Sequence, residues 1–371
     1  MTTEPGQMRS VVPIPAPSAT GIGSLPGHDM TAAIRLVLDE LGEQPGLPFL
    51  PELPQRGVGA DMVGRSTAFL VDLYAEVQPS GWRVSERPGR DHRRARSYLS
   101  SDLDLLEEHT QGYVGGLKLQ VAGPWTLAAT VELAHGDKLL ADPGAVRDVA
   151  ASLAEGLRLH VDDVRKRVPG AQVILQLDEP ALPGVLRGTV PTASGFGRLR
   201  AIEESVARDV LRTVIESVDA PVIVHCCAPD VPFDALRHAG VAGISFDLSL
   251  VLGERSPEKT AEREAAFGEL IEGGVRLFTG VVPSTDPVAA PSGTGRSGGD
   301  PSVSAASVNA LSVTGLRDRV LTLTRLGFSA RHVADAVIVT PSCGLAGASP
   351  AWAARALKLC RDTARALEEV D

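Results

Sequence analysis

Eight short apolar runs, each ending in polar, glycine or proline residues, recur along the chain with longer amphipathic stretches between them. They are TGIGSLP (20–26), PFLPELP (48–54), LKLQVAG (117–123), VILQLDEP (173–180), PVIVHCCA (221–228), GISFDLS (243–249), RLFTGVV (276–282) and AVIVTPSCG (336–344). Alternation of this kind is the pattern of βα units feeding a parallel sheet. The wholly apolar centres of several runs, such as Val173 to Leu175 and Val222 to Val224, suit strands covered on both faces. Eight strands, each followed by a helix, predict an α/β fold of one (β/α)8 barrel, a TIM barrel. A doubly wound open sheet is the rival arrangement. No Gly-x-Gly-x-x-Gly turn follows the first run, so nothing supports a dinucleotide site.

The spacing predicts helices over DMTAAIRLVLDELG from Asp29, over the long stretch from Pro143, and over the last stretch from Ser349. Asp29 and Ser349 suit N-caps, and Pro350 suits a first helical position. Residues 1–18 are rich in proline and lack periodicity, so they read as a mobile tail ahead of a barrel domain over 19–371. The Gly/Ser/Pro run at 287–307 reads as a long flexible loop of that domain, not as a hinge between two cores.

The chain carries 36 Lys and Arg against 46 Asp and Glu, a net charge of −10. That balance excludes a nucleic-acid partner, since neutralising phosphates needs a basic face. Arg93, Arg94 and Arg96 form the compact basic run and read as a solvated face. No stretch reaches the roughly 18 to 20 apolar residues that span a bilayer, and the N-terminus lacks a charged region followed by an apolar one. The expectation is a cytoplasmic protein with no membrane partner. In such a compartment four cysteines do not make a disulfide framework, and those near histidine or carboxylates are metal or catalytic candidates.

Barrel active sites are built where the C-terminal ends of the strands face one mouth. Here those ends supply Ser24, Glu52, Asp178, Glu179, His225, Cys227, Asp247 and Cys343. His225 and Cys227 lie two apart after an apolar strand, a spacing that lets both side chains point the same way. Cys343 ends another strand in the turn PSCG. One imidazole and two thiolates suit Zn²⁺, and Asp247 at the end of GISFD is placed to offer the fourth, oxygen ligand. The competing reading makes these residues simple packing, as fits Cys226, which alternates to the other face, and Cys360, inside the last helix.

Taken in order, IGSLP (22–26), the glutamate of PELPQRG, AGPWTL (122–127), QLDEPAL (176–182), VHCC (224–227) and PSCGL (341–345) resemble the catalytic domain of cobalamin-independent methionine synthase. That domain falls within the uroporphyrinogen decarboxylase-like barrel superfamily, and the resemblance runs from about Thr20 onward. It implies transfer of a methyl group to the thiol of homocysteine, forming methionine. It also implies that His225, Cys227 and Cys343 hold Zn²⁺, and that Ser24, Glu52 and Asp178 hold the amino-acid part of homocysteine or methionine. A carboxylate pair can receive an ammonium, and a hydroxyl beside backbone N–H groups can receive a carboxylate.

Two positions depart from the family pattern. Asp247 stands where the fourth zinc ligand is usually Glu, and GVVPSTDP (280–287) lacks the proton-donating histidine, Thr285 falling near its place with Asp286 as the replacement acid. The chain also shows no counterpart of the long N-terminal domain of full-length synthases. The expected methyl donor is therefore a methylfolate or a methylated corrinoid protein. The alternatives are a zinc-thiol alkyltransferase for another small thiol and a non-catalytic homologue that binds methionine or zinc.

Overall fold

A computed structural model describes residues 14–252, 257–287 and 311–371. Nine strands are described: β1 (Ser18–Ala19), β2 (Tyr74–Gln78), β3 (Gly81–Ser85), β4 (Gly115–Ala122), β5 (Ala171–Asp178), β6 (Val222–His225), β7 (Gly243–Asp247), β8 (Arg276–Val282) and β9 (Val337–Pro341). Seven form one sheet in the order β1-β9-β8-β7-β6-β5-β4, with every neighbouring pair parallel. β2 and β3 make a separate antiparallel hairpin that the apolar runs do not announce.

The sheet curls, and its two edges meet one segment. Residues 46–52 bond on one side to the β1 end, through Leu47 N to Ala19 O (2.8 Å) and Glu52 N to Gly23 O (3.0 Å). On the other side they bond to β4, through Lys118 N to Pro48 O (2.9 Å) and Leu50 N to Lys118 O (3.1 Å). This is the run expected as the second of eight strands, and it forms isolated parallel bridges instead of a ladder. Prolines at 45, 48, 51 and 54 explain the difference, because each lacks the N–H that a continuous ladder needs. The first run is also displaced: the ladder strand is Ser18–Ala19, and IGSLP follows it over the strand end.

Side-chain alternation sorts the strands into two environments. Leu117, Leu119, Val121, Leu175, Leu177, Val224 and Ile244 face the helices in the main core. On the inner face Ile14, Leu47, Ile174, Ile223, Phe278 and Ile338 form a small apolar plug. Burial at about 1.5–3 kcal/mol per large side chain makes that plug the floor on which the polar interior rests. Ile14 falls within the tail expected over 1–18, yet it is buried in this plug and its carbonyl accepts from Arg276 Nε at 3.1 Å. The remainder of that tail, residues 1–13, and nearly all of the loop expected over 287–307 lie outside the described residues.

The helices begin where their caps predict. Asp29 accepts from Ala32 N at the start of Met30–Leu41, and Ser349 accepts from Trp352 N at the start of Pro350–Glu368. The helix Pro143–Arg167 starts with its proline at the first position. Arg93 and Arg96 lie exposed on the helix Arg90–His109, as a solvated face requires. Among the described residues no helix is long and apolar enough to cross a membrane.

Candidate metal centre and substrate pocket

His225 is the last ladder residue of β6 and is 3% exposed. Its Nδ1 lies 2.9 Å from Ser245 Oγ on the adjacent β7, which fixes the ring and leaves Nε2 buried without a hydrogen-bond partner. Cys226 turns to the other side and is fully buried, so Cys227 returns to the side of His225. Cys343 arrives from the turn after β9, and its Sγ stands 3.0 Å from Cys227 Sγ. Ligand atoms of His225, Cys227 and Cys343 all fall within 4.8 Å of one another.

The hydrogen bond from Cys227 draws the Cys343 thiol well below the ordinary thiol range, helped by the nearby imidazole, while the same contact pushes Cys227 up. One side chain thus already carries thiolate character, the form that ligates metals. Two cysteine sulfurs, an imidazole nitrogen with no partner among the described residues and a hydroxyl that braces the ring are a group that could hold a metal ion. A tetrahedral zinc with Zn–S near 2.3 Å holds two sulfurs about 3.8 Å apart, so the pair would part by less than about 1 Å to accept it.

Asp247 does not join this group. Its carboxylate receives Ser249 N at 2.8 Å and Ser249 Oγ at 2.6 Å, closing the turn into the short helix Leu248–Leu252. Asp286 is likewise engaged elsewhere, receiving Ser349 N at 2.7 Å and Ser349 Oγ at 2.5 Å ahead of the last helix. Those bonds hold its carboxyl below the usual range, the reverse of what a proton donor at neutral pH needs. Glu179, the third displaced candidate, accepts from Trp125 N (2.9 Å), Thr126 N (2.7 Å) and Thr126 Oγ1 (2.8 Å). It caps the helix Pro124–Thr130 in place of a conventional side-chain cap, since the N-cap residue is Gly123. A Cβ at Gly123 would lie 2.3 Å from Glu179 Oε1, so the glycine admits this carboxylate.

Ser24, Glu52 and Asp178 form the second part of the site. Ser24 pairs with Glu52 through a parallel bridge, and its carbonyl receives Leu345 N at 2.8 Å, tying the turn that carries Cys343 to the turn that carries Ser24. A Cβ on Gly344 would sit 2.1 Å from Ser24 Oγ, so these two turns are in close contact. Glu52 takes Gln120 Nε2 at 3.2 Å and faces Arg65 Nε at 3.4 Å, and Asp178 takes Gln176 Nε2 at 2.7 Å. Burial pushes Glu52 up to about 7 and Asp178 up to about 6, the neighbouring carboxylate adding to the rise of Glu52. Gln120 Oε1 is buried with no partner. Two carboxyls and an acceptor without a partner among the described residues make a cluster suited to a cation with several N–H donors.

The groups that support this pocket were not among the sequence candidates. Lys118, Gln120 and Gln176 fill the inner face of the curled sheet beneath it, and Asp102 receives both Arg56 (2.7 Å) and Arg65 (2.8 Å) behind Glu52. A signal was present in β4 and β5, where Lys118, Gln120 and Gln176 interrupt otherwise apolar strands at a spacing of two, as inward polar positions do.

The profile of the family described as "Cobalamin-independent synthase, Catalytic domain" matches residues 16–366. No curated protein matches the chain. Among solved structures, a B12-independent methionine synthase from a Shewanella species in complex with selenomethionine is similar in fold, with a TM-score of 0.55 and 14% identity, over 96% of this chain and 98% of that one. A GH113 β-mannanase from Alicyclobacillus acidocaldarius aligns at a TM-score of 0.42 and 16% identity, over 96% and 98% of the two chains.

Proposed function

The chain belongs to the cobalamin-independent synthase catalytic-domain family, and from that premise we propose that it transfers a methyl group to the thiol of homocysteine, giving methionine, with Zn²⁺ held by His225, Cys227 and Cys343. The observation that carries the reading is the convergence of these three side chains around a buried His225 Nε2 that has no partner. An orphaned buried nitrogen is costly unless a ligand satisfies it. Bound there, zinc lowers the pKa of a coordinated thiol, so that the substrate sulfur is a thiolate at neutral pH.

The chain's own residues supply orientation. Glu52 and Asp178 receive the substrate ammonium, with Gln120 Oε1 as a further acceptor, and Ser24 receives the carboxylate. Ser245 holds the His225 ring so that Nε2 is left for the metal. Asp247 is already bonded to Ser249, so His225, Cys227 and Cys343 would hold the metal without it and leave it open to the substrate sulfur. We take the segment 46–52 as the eighth stave of a closed (β/α)8 barrel, a reading supported by its backbone bonds to both sheet edges. The donor, a methylfolate or a methylated corrinoid protein, approaches over the C-terminal face of the strands.

Elemental analysis of the protein purified without chelators, beside a Cys227→Ser, Cys343→Ser double variant, tests the reading. One equivalent of zinc, absent from the variant and gaining a sulfur neighbour in X-ray absorption when homocysteine is added, is the expected result. Stoichiometric metal in neither protein, or no change in sulfur coordination with homocysteine, would refute it.

A further inference from the structure

Lys118 is a charged group for which the proposed chemistry has no use. It lies in the middle of β4 on the inner face and is 0% exposed. Among the described residues no carboxylate is hydrogen-bonded to it, which is uncommon for a lysine so deeply buried. Its ammonium donates to Ile22 O at 2.8 Å and to Gln176 Oε1 at 2.8 Å, and it lies 5.3 Å from the centre of the Phe49 ring.

Lys118 Nζ donates to Gln176, which turns its oxygen toward it; burial lowers the lysine's pKa to about 7, with Asp178 and Glu52 favouring the protonated form. The amide nitrogen of Gln176 is thereby directed the other way, where it donates to Ile22 O at 2.8 Å and to Asp178 Oδ1 at 2.7 Å. Ile22 O and Asp178 favour the same orientation, and Lys118 adds the contact that holds the oxygen side of the amide. The flipped amide would set its oxygen against the Asp178 carboxylate, acceptor against acceptor. Ile22 is held by the same two donors, and it begins the turn that carries Ser24.

We propose that Lys118 is a positioning residue for ammonium recognition: through Gln176 it sets the Asp178 carboxylate, and through the Ile22 carbonyl it sets the Ser24 turn, in the arrangement an amino-acid substrate requires. This rests on the reading of Ser24, Glu52 and Asp178 as the amino-acid subsite. A lysine that merely filled the barrel would affect every ligand of the site alike. One that orders Asp178 affects those that carry an ammonium.

The test is calorimetric titration of the zinc-loaded full chain and its Lys118→Met variant with homocysteine and with 4-mercaptobutyrate, which keeps the thiol and carboxylate and lacks the ammonium. Zinc content is measured alongside. The wild type is expected to prefer homocysteine, and Lys118→Met to lose roughly tenfold or more in homocysteine affinity, the loss of about one charge-assisted hydrogen bond. Its affinity for 4-mercaptobutyrate is expected to stay within about twofold. Equal losses for both ligands, or a preference for homocysteine that survives in the variant, would overturn the inference alone. A wild type with no preference would overturn the amino-acid subsite and the inference with it. If Lys118→Met does not fold, Gln176→Met removes the relay with Lys118 in place, and the same selective loss is expected; unchanged selectivity there also overturns the proposal.

Discussion

Cys227 Sγ and Cys343 Sγ stand 3.0 Å apart although 116 residues separate them. β6 and β9, which deliver them, are not neighbours: β7 and β8 lie between. At about 4.8 Å per strand, a flat sheet would hold those strands roughly 14 Å apart. The curl of the sheet brings the two strand ends toward one axis, so the meeting of the two sulfurs is a direct consequence of curvature. His225 on the same strand end then completes the three with its ring braced by β7.

Ser245 is the brace, and its removal isolates its effect. Ser245→Ala leaves His225 Nδ1 without its partner and frees the ring to rotate. Loss of such an outer partner typically costs about 10–100-fold in metal affinity. Competition with a chromogenic chelator should show a drop in that range with the thermal unfolding of the metal-free protein little changed. Wild-type affinity in this variant would mean that the ring is oriented by packing alone.

Glu179 predicts a different phenotype from its neighbour Asp178. It accepts three hydrogen bonds, from the backbone of Trp125 and the backbone and hydroxyl of Thr126, so Glu179→Ala strands buried N–H groups at a helix start. A loss of about 2–4 kcal/mol in unfolding free energy is expected. Methionine affinity of the protein that remains folded should be nearly unchanged. A stable variant with abolished binding would return Glu179 to the substrate pocket.

Asp286 was the sequence-level replacement for a proton donor, and its bonds to Ser349 argue for a helix-start role. Asp286→Ala should lower the melting temperature modestly and leave methyl transfer within about twofold, whereas general acid–base groups contribute roughly 10²–10⁴-fold. A kinetic loss of that larger size would restore the acid.

What was legible in the chain follows from what each signal measures. His225, Cys227 and Cys343 could be singled out as a set because they are ligand-type residues at strand ends, and the curled sheet does bring them together. Asp247 and Asp286 were placed at the right ends, but sequence position cannot show that Ser249 and Ser349 already engage them. The run 48–54 looked like a strand by its apolar residues, while its prolines prevented a ladder. The support of Glu52 and Asp178 by Lys118, Gln120 and Gln176 depends on contacts across the curled sheet, between segments up to 154 residues apart, which local pattern does not encode.

Glu52 ties stability to pH in a direction that can be worked out. Burial raises its carboxyl from 4.5 to about 7, against the opposing pull of Arg65. Between those values the folded protein keeps a proton that the unfolded chain has lost, so stability falls as pH rises across that window. The contribution is fully present below the unfolded value and is lost as pH passes the folded one. Glu52→Gln removes the titration and should be more stable than wild type at pH 8, by on the order of 2 kcal/mol, with little gain at pH 5. The ionised form that costs stability is also the one that receives an ammonium. Methionine, which has no thiol to titrate, should bind wild type more tightly as pH rises from 6 to 8 and bind Glu52→Gln poorly throughout. Urea unfolding at both pH values with methionine titrations separates the possibilities. A variant that gains stability at pH 8 yet binds methionine as well as wild type would show a buried acid with no part in recognition, and parallel pH profiles would show that the destabilising proton loss belongs to another group.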